Sequence, residues 1–229
     1  MKTIHIICAF AALFFMAAII PDDEPGPGRF KTKQPVQHSH ELALYIEPGV
    51  IFPGGTMPST GSPRSKPSLS FNGGLQHRYR ISGNHWIVSS LFYQYASLRI
   101  QFEEFNDYSW TYSASLYGGS VAYRWNVDFD EFLLHLDGGI YASRPFDQWE
   151  LTAKGGPDPG QGDSNAGLDL GLSAATGVQF QLFRKVSLDA WAGTRFGLTP
   201  AVNDTKRDIE LSTRNIYLAA ALVYSLPDL

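Results

Sequence analysis

The 229-residue sequence predicts an all-β fold, an eight-stranded antiparallel up-and-down transmembrane β-barrel. Three observations predict it. Apolar residues recur at every second position in eight separate segments, and no stretch sustains the 3.6-residue stripe of an amphipathic helix. The segments run about 12 to 18 residues, beyond the five or six of an ordinary globular strand and enough to cross a tilted bilayer path. Their connections alternate short and long, as in barrels with short periplasmic turns and longer external loops.

Composition agrees. Charged residues make up 17% of the chain, below the roughly 25% of soluble domains. The formal net charge of −4 and the absence of a basic cluster argue against nucleic-acid binding.

In order along the chain, residues 1–20 read as a signal peptide: Lys2 precedes an almost unbroken apolar run from Ile4 to Ile20, which Pro21-Asp22-Asp23-Glu24 stops. Cys8, the single cysteine, lies inside that run, so the mature chain is expected to hold no disulfide. Residues 21–40, "PDDEPGPGRFKTKQPVQHSH", are rich in Pro, Gly and charge and read as a flexible periplasmic leader. Residues 41–229 form the barrel.

The first segment, Glu41 to Phe52, aligns Leu42, Leu44, Ile46, Val50 and Phe52. The second, Ser68 to Ser82, sets Leu69, Phe71, Leu75, Tyr79 and Ile81 against Asn72, Gln76, Arg78 and Arg80. In the third, His85 to Phe102, the apolar set is Trp86, Val88, Phe92, Leu98, Ile100 and Phe102. The fourth, Trp110 to Val127, changes phase at Gly118-Gly119, from Trp110, Tyr112, Ala114 and Leu116 to Val121, Tyr123, Trp125 and Val127. A β-bulge there is the expected cause.

The fifth segment, Phe132 to Arg144, opposes Phe132, Leu134, Leu136 and Ile140 to His135, Asp137 and Tyr141. The sixth, Asn165 to Phe183, is the most regular, with Leu168 through Leu182 on one face and Asp169, Gln179 and Gln181 on the other. The seventh, Lys185 to Thr199, aligns Val186, Leu188, Ala190, Phe196 and Leu198 against Asp189, Trp191 and Arg195. The eighth, Glu210 to Leu226, sets Ile216, Leu218, Leu222 and Tyr224 against Asn215, Tyr217 and Ser225. External loops fall at about 53–67, 103–109, 145–166 and 200–209.

Alternation alone leaves two solvents open: a secreted lipocalin-like carrier turns its apolar face inward around a ligand, a membrane barrel turns it to lipid. Segment length favours lipid. So does the opposite face, where Glu47, Arg78, Arg80, Arg99, His135, Asp137, Asp189 and Arg195 form a candidate lumenal polar network. Aromatics near segment ends (Phe52, Trp86, Phe102, Trp110, Trp125, Phe132, Phe180 and Tyr224) suit interfacial girdles. An open sheet edge is excluded at membrane depth, and eight strands can close.

The stretch "NAGLDLGLSAATGVQFQLFRKVSLDAWAGTRFGLTP" resembles the final third of small outer-membrane barrels of the PorT-like or OmpA-like class of Bacteroidota. Gly167, Gly171, Gly177, Phe180, Leu188, Arg195, Gly197 and Leu198 carry the resemblance. It implies an outer-membrane location and a non-enzymatic role: structural, adhesive or secretion-accessory. Outer-membrane lipid and envelope or secretion-system proteins are the implied partners. Barrels of that class usually finish on an aromatic residue, whereas this sequence finishes "YSLPDL".

Candidate chemistry is sparse. "GDSNAGL" resembles the His-x-Ser-Asn stretch of lipid A deacylases, yet the position two before Ser164 is Gly162, so the serine lacks its base. His38 and His40 have a two-imidazole spacing without a visible third ligand. The Gly-rich stretch at 155–167 lacks phosphate-loop and calcium-loop spacing. No catalytic, metal or cofactor residue is therefore assigned. A narrow pore lined by the lumenal charges is the remaining alternative, against a packed plug.

Overall fold

The computed structural model describes residues 39–58, 62–104, 108–129, 131–155 and 164–226. The expected signal peptide, nearly all of the expected leader, Cys8, His38 and Gly162 lie outside them. The side chains of 164–166, and with them Ser164, are likewise outside the description.

Eight long strands close into a ring: β1 (His40–Thr56), β3 (Ser68–Ser82), β4 (His85–Phe102), β5 (Ser109–Phe129), β6 (Phe132–Pro145), β9 (Asp169–Phe183), β10 (Val186–Gly197) and β12 (Ile209–Ser225). Each pairs antiparallel with the next, and β1 pairs with β12 over Glu41↔Ser225 to Thr56↔Glu210, which removes every edge. Tight turns at 83–84 and 184–185, with the short connection between β5 and β6, mark one end of the ring; the long connections all lie at the other. Gly83, at φ +48°, takes the left-handed conformation its turn needs.

Four short strands that alternation does not predict lie in the long connections: β2 (Pro63–Lys66), β7 (Glu150–Lys154), β8 (Ser164–Ala166) and β11 (Val202–Asp204). They raise the wall above the ring. β2 continues β3 alongside β4 (Lys66↔Arg99), β7 continues β6 alongside β5 (Ser113↔Glu150), and β11 and β8 extend from β12. "PRSK", "ELTAK", "SNA" and "VND" are too short and polar to show periodicity; they are strands because the neighbouring edge offers them hydrogen bonds.

The outer surface carries a broad apolar belt. Leu42, Ile46, Leu69, Phe71, Leu75, Ile140, Leu172, Leu182, Leu188, Ile216 and Leu218 are all exposed there, with Leu69 at 80%. A belt of this extent is far beyond the few hundred Å² that a soluble monomer shows water. In β1, β3, β6, β9, β10 and β12 the faces are those expected from sequence.

Two strands depart from expectation. In β4 the set Trp86, Val88, Phe92, Leu98, Ile100 and Phe102 is buried inside the barrel, while Leu91 and Tyr95 face out. In β5 the register against β4 runs unbroken from Trp125 to Ser109, so there is no bulge at Gly118-Gly119. The apolar side changes instead. Val121, Tyr123 and Trp125 face outward, whereas Tyr112, Ala114 and Leu116 of the same strand face inward. Below Gly118 the wall separates an apolar exterior from a lumen of mixed charged and apolar side chains; above it, a more polar exterior from an apolar filling.

That filling is a cluster of Ile51, Leu98, Ile100, Phe102, Tyr112, Leu116, Trp149, Val202, Ile209 and Leu211, contributed by strands on opposite sides of the ring. Trp86, Phe102 and Trp110 are thus interior residues, not girdle residues. The outward aromatics near the turns include Tyr79, Tyr123, Trp125, Phe129, Phe180 and Phe183; toward the other end they include Phe71, Tyr95, Tyr117, Phe146 and Phe196.

Candidate functional site: the lumen and the raised wall

Near the tight turns, inward alternation in four strands brings Arg78, Arg124, His135, Asp137 and Asp189 together. Asp189, fully buried, accepts from Arg78 at 2.7 Å and from Arg124 at 3.1 Å through Oδ2, while its Oδ1 lies 2.9 Å from His135 Nε2. Arg124 also holds Asp137 through two parallel bonds, Nε to Oδ1 at 2.8 Å and Nη2 to Oδ2 at 2.7 Å. Arg78 donates further to Gln76 Oε1 at 2.9 Å and to Gln179 Oε1 at 3.3 Å, with Glu41 3.7 Å away. Such charges are tolerable in a dry interior because each is paired and hydrogen-bonded.

Gly177 makes this packing possible. A Cβ there would stand 2.6 Å from His135 Nε2 and 2.4 Å from Trp191 Cβ.

Farther up, Arg195 and Glu47 form a second pair, 2.6 Å Nη1 to Oε1 and 2.9 Å Nη2 to Oε2, with Asn72 donating to Glu47 at 3.1 Å. The Arg195 guanidinium lies 5.0 Å from the ring centres of both Phe92 and Tyr217. Between the two networks is a polar cavity of about 40 Å³. That is about the room one water takes in the liquid. Above it Asp169 accepts from Thr213 at 2.6 Å and from Tyr141 at 3.3 Å.

No protein-family model matches this chain, and no curated protein does. Among solved structures, the outer-membrane protein OprG of Pseudomonas aeruginosa is similar with a TM-score of 0.52 at 10% identity, over 84% of this chain and 98% of that one. Neisserial surface protein A gives 0.47 at 14% identity, covering 81% and 97%. Ail, the attachment invasion locus protein of Yersinia pestis, gives 0.38 at 12%, covering 81% and 99%. The fold is that of an eight-stranded outer-membrane β-barrel. At these identities the likeness shows the fold alone.

Of the residues that the sequence assigns to the lumen, Glu47, Arg78, His135, Asp137, Asp189 and Arg195 point into the barrel and meet in these two networks. Arg80 does not join them. It sits at the turn end and donates from Nε to the Gly83 carbonyl at 2.8 Å. Arg99 is a correction: it shares the outward face of β4 with Leu91 and Tyr95, and its Nη2 lies 3.4 Å from Ser109 Oγ. Because the inner face of β4 is the apolar one, the cation opposite it falls outside.

Arg124 is the residue that sequence reading missed, although it alternates with outward Tyr123 and Trp125. Asp204 is another, buried beside the apolar filling, with Arg207 at 2.7 Å and Tyr112 Oη at 3.1 Å. His40 meets His77, Nδ1 to Nε2 3.1 Å, on the outer face near the turns. Among the described residues no three His, Cys, Asp or Glu side chains converge as a metal site.

Proposed function

We propose that this protein is a non-enzymatic outer-membrane barrel, exported by its N-terminal segment, whose lumen is a structural plug and whose working surface is the raised wall at the long-connection end. The role is that of a structural, adhesive or secretion-accessory scaffold. The observation that carries this reading is the filled interior: among the described residues, two ion-pair networks and an apolar cluster above them occupy the lumen, with a cavity of about 40 Å³ between the networks. A ligand carrier needs a cavity of several hundred Å³ where this barrel holds side chains.

The fold of the structural neighbours supports the outer-membrane location. The resemblance of residues 165–200 to the PorT-like class supports an envelope or secretion partner. β2, β7, β8 and β11 favour action through the external end, because they hold the connections there on a hydrogen-bonded frame.

Planar-bilayer recording of the refolded protein tests the plug. A quiet membrane is expected. Reproducible single-channel steps would overturn the plug and make the barrel a pore.

A further inference from the structure

The outer wall of the ring carries a groove of about 650 Å³, within the size range of ligand pockets. Its sides are Leu75, Leu91, Val121 and Ile140, and it is an open groove because Gly119 and Ala142 put almost nothing on that face. Hydrogen-bond register carries it obliquely across the belt: Leu75↔Leu91, Leu91↔Gly119, Gly119↔Ala142 and Ala142↔Leu170 are successive partners. From β1 to β9 this crosses five strand spacings, about 24 Å.

The groove has a polar head. Two residues beyond Ala142, on the same outward face of β6, Arg144 is exposed, with no carboxylate partner among the described residues. It lies opposite Tyr117, whose ring is 4.7 Å from Phe146, and Phe146 in turn is 5.9 Å from Tyr93. An apolar trough within the belt, topped by an aromatic cluster and one free guanidinium at the long-connection end, has the polarity of a lipid molecule.

We propose that the groove holds one acyl chain of a phosphorylated outer-leaflet lipid and that Arg144 binds its phosphate. The proposal rests on the membrane reading above. Water is excluded at this depth, so the occupant of the trough is a hydrocarbon chain, and a guanidinium at headgroup level is complementary to phosphate.

Native mass spectrometry of the full chain in detergent tests it, with phosphatidylglycerol and a diacylglycerol of the same chains as probes. Retention of one phosphatidylglycerol is expected, about tenfold better than diacylglycerol, the effect of one charge-assisted contact. Arg144→Gln should bring phosphatidylglycerol down to the diacylglycerol level. Ala142→Leu or Ser89→Leu, which fill the trough from its two sides, should reduce retention of both.

Equal retention of the two lipids, or indifference to Arg144→Gln, would overturn the phosphate contact. Indifference to both filling variants would overturn the groove. Binding of glycerol phosphate alone would make Arg144 a free-anion site and overturn the lipid. A heat-modifiability gel confirms that each variant is folded, and a wild-type chain soluble without detergent would instead defeat the membrane reading itself.

Discussion

Arg124 grips Asp137 side-on, with Nε–Oδ1 and Nη2–Oδ2 separations of 2.8 and 2.7 Å, while its remaining nitrogen reaches Asp189 at 3.1 Å. Two carboxylates from β6 and β10 are thereby tied to β5 through the middle of the ring, between strands that the hydrogen-bond ladder does not all join directly.

Asp189→Ala should be the most damaging single change in this lumen. It leaves Arg78 and Arg124 short of a partner in a dry interior, a loss of about 3–5 kcal/mol. Urea unfolding in lipid vesicles, followed by the unheated gel shift, checks this; stability within about 0.5 kcal/mol of the wild type would show the network to be solvated.

Leu172 and Ser173 separate the two faces of β9. Leu172 is 51% exposed on the belt, whereas Ser173 lines the small polar cavity and pairs with Arg195 across the ladder. Leu172→Asp should cost about 2 kcal/mol, while Ser173→Asn, uncharged and facing the small polar cavity, should cost less. Equal tolerance in the same unfolding assay would mean that the faces are reversed.

The sequence made these faces readable in six strands because each keeps one polarity along its length. It misled in upper β4 and upper β5 for one reason, while Trp86 and Val88 lower in β4 are apolar side chains packed into the lumen itself. Where the wall rises above the belt, the apolar side turns from lipid to interior, so Leu116 and Val121 lie on opposite faces although both are core-like residues. An inversion of solvent at Gly118-Gly119 looks the same in sequence as a slip of register. The misplacement of Arg99 follows directly, since its face was inferred from Leu98 and Ile100. The four short strands were illegible because pairing geometry, not side-chain pattern, makes them.

The apolar filling gives a test of that inversion. Leu98 is fully buried in it, and Leu98→Ala should cost about 2–5 kcal/mol in a well-packed interior. The effect should be local: limited proteolysis should reach the connection between β6 and β9 sooner, while the unheated gel shift persists. An unchanged digestion pattern would mean that Leu98 faces a yielding surface.

Topology can be read on intact cells. Thr205 lies in the connection preceding β12 and Asn84 in the turn between β3 and β4; both are exposed. A membrane-impermeant maleimide should label Thr205→Cys and spare Asn84→Cys. The reverse pattern would place the raised wall in the periplasm.

The membrane itself is the central claim, and fractionation of cells expressing the native chain tests it most directly. The account predicts recovery in the outer-membrane fraction, release only by detergent, and faster gel migration before heating than after. Recovery as a soluble periplasmic protein without a heat-dependent shift would contradict it.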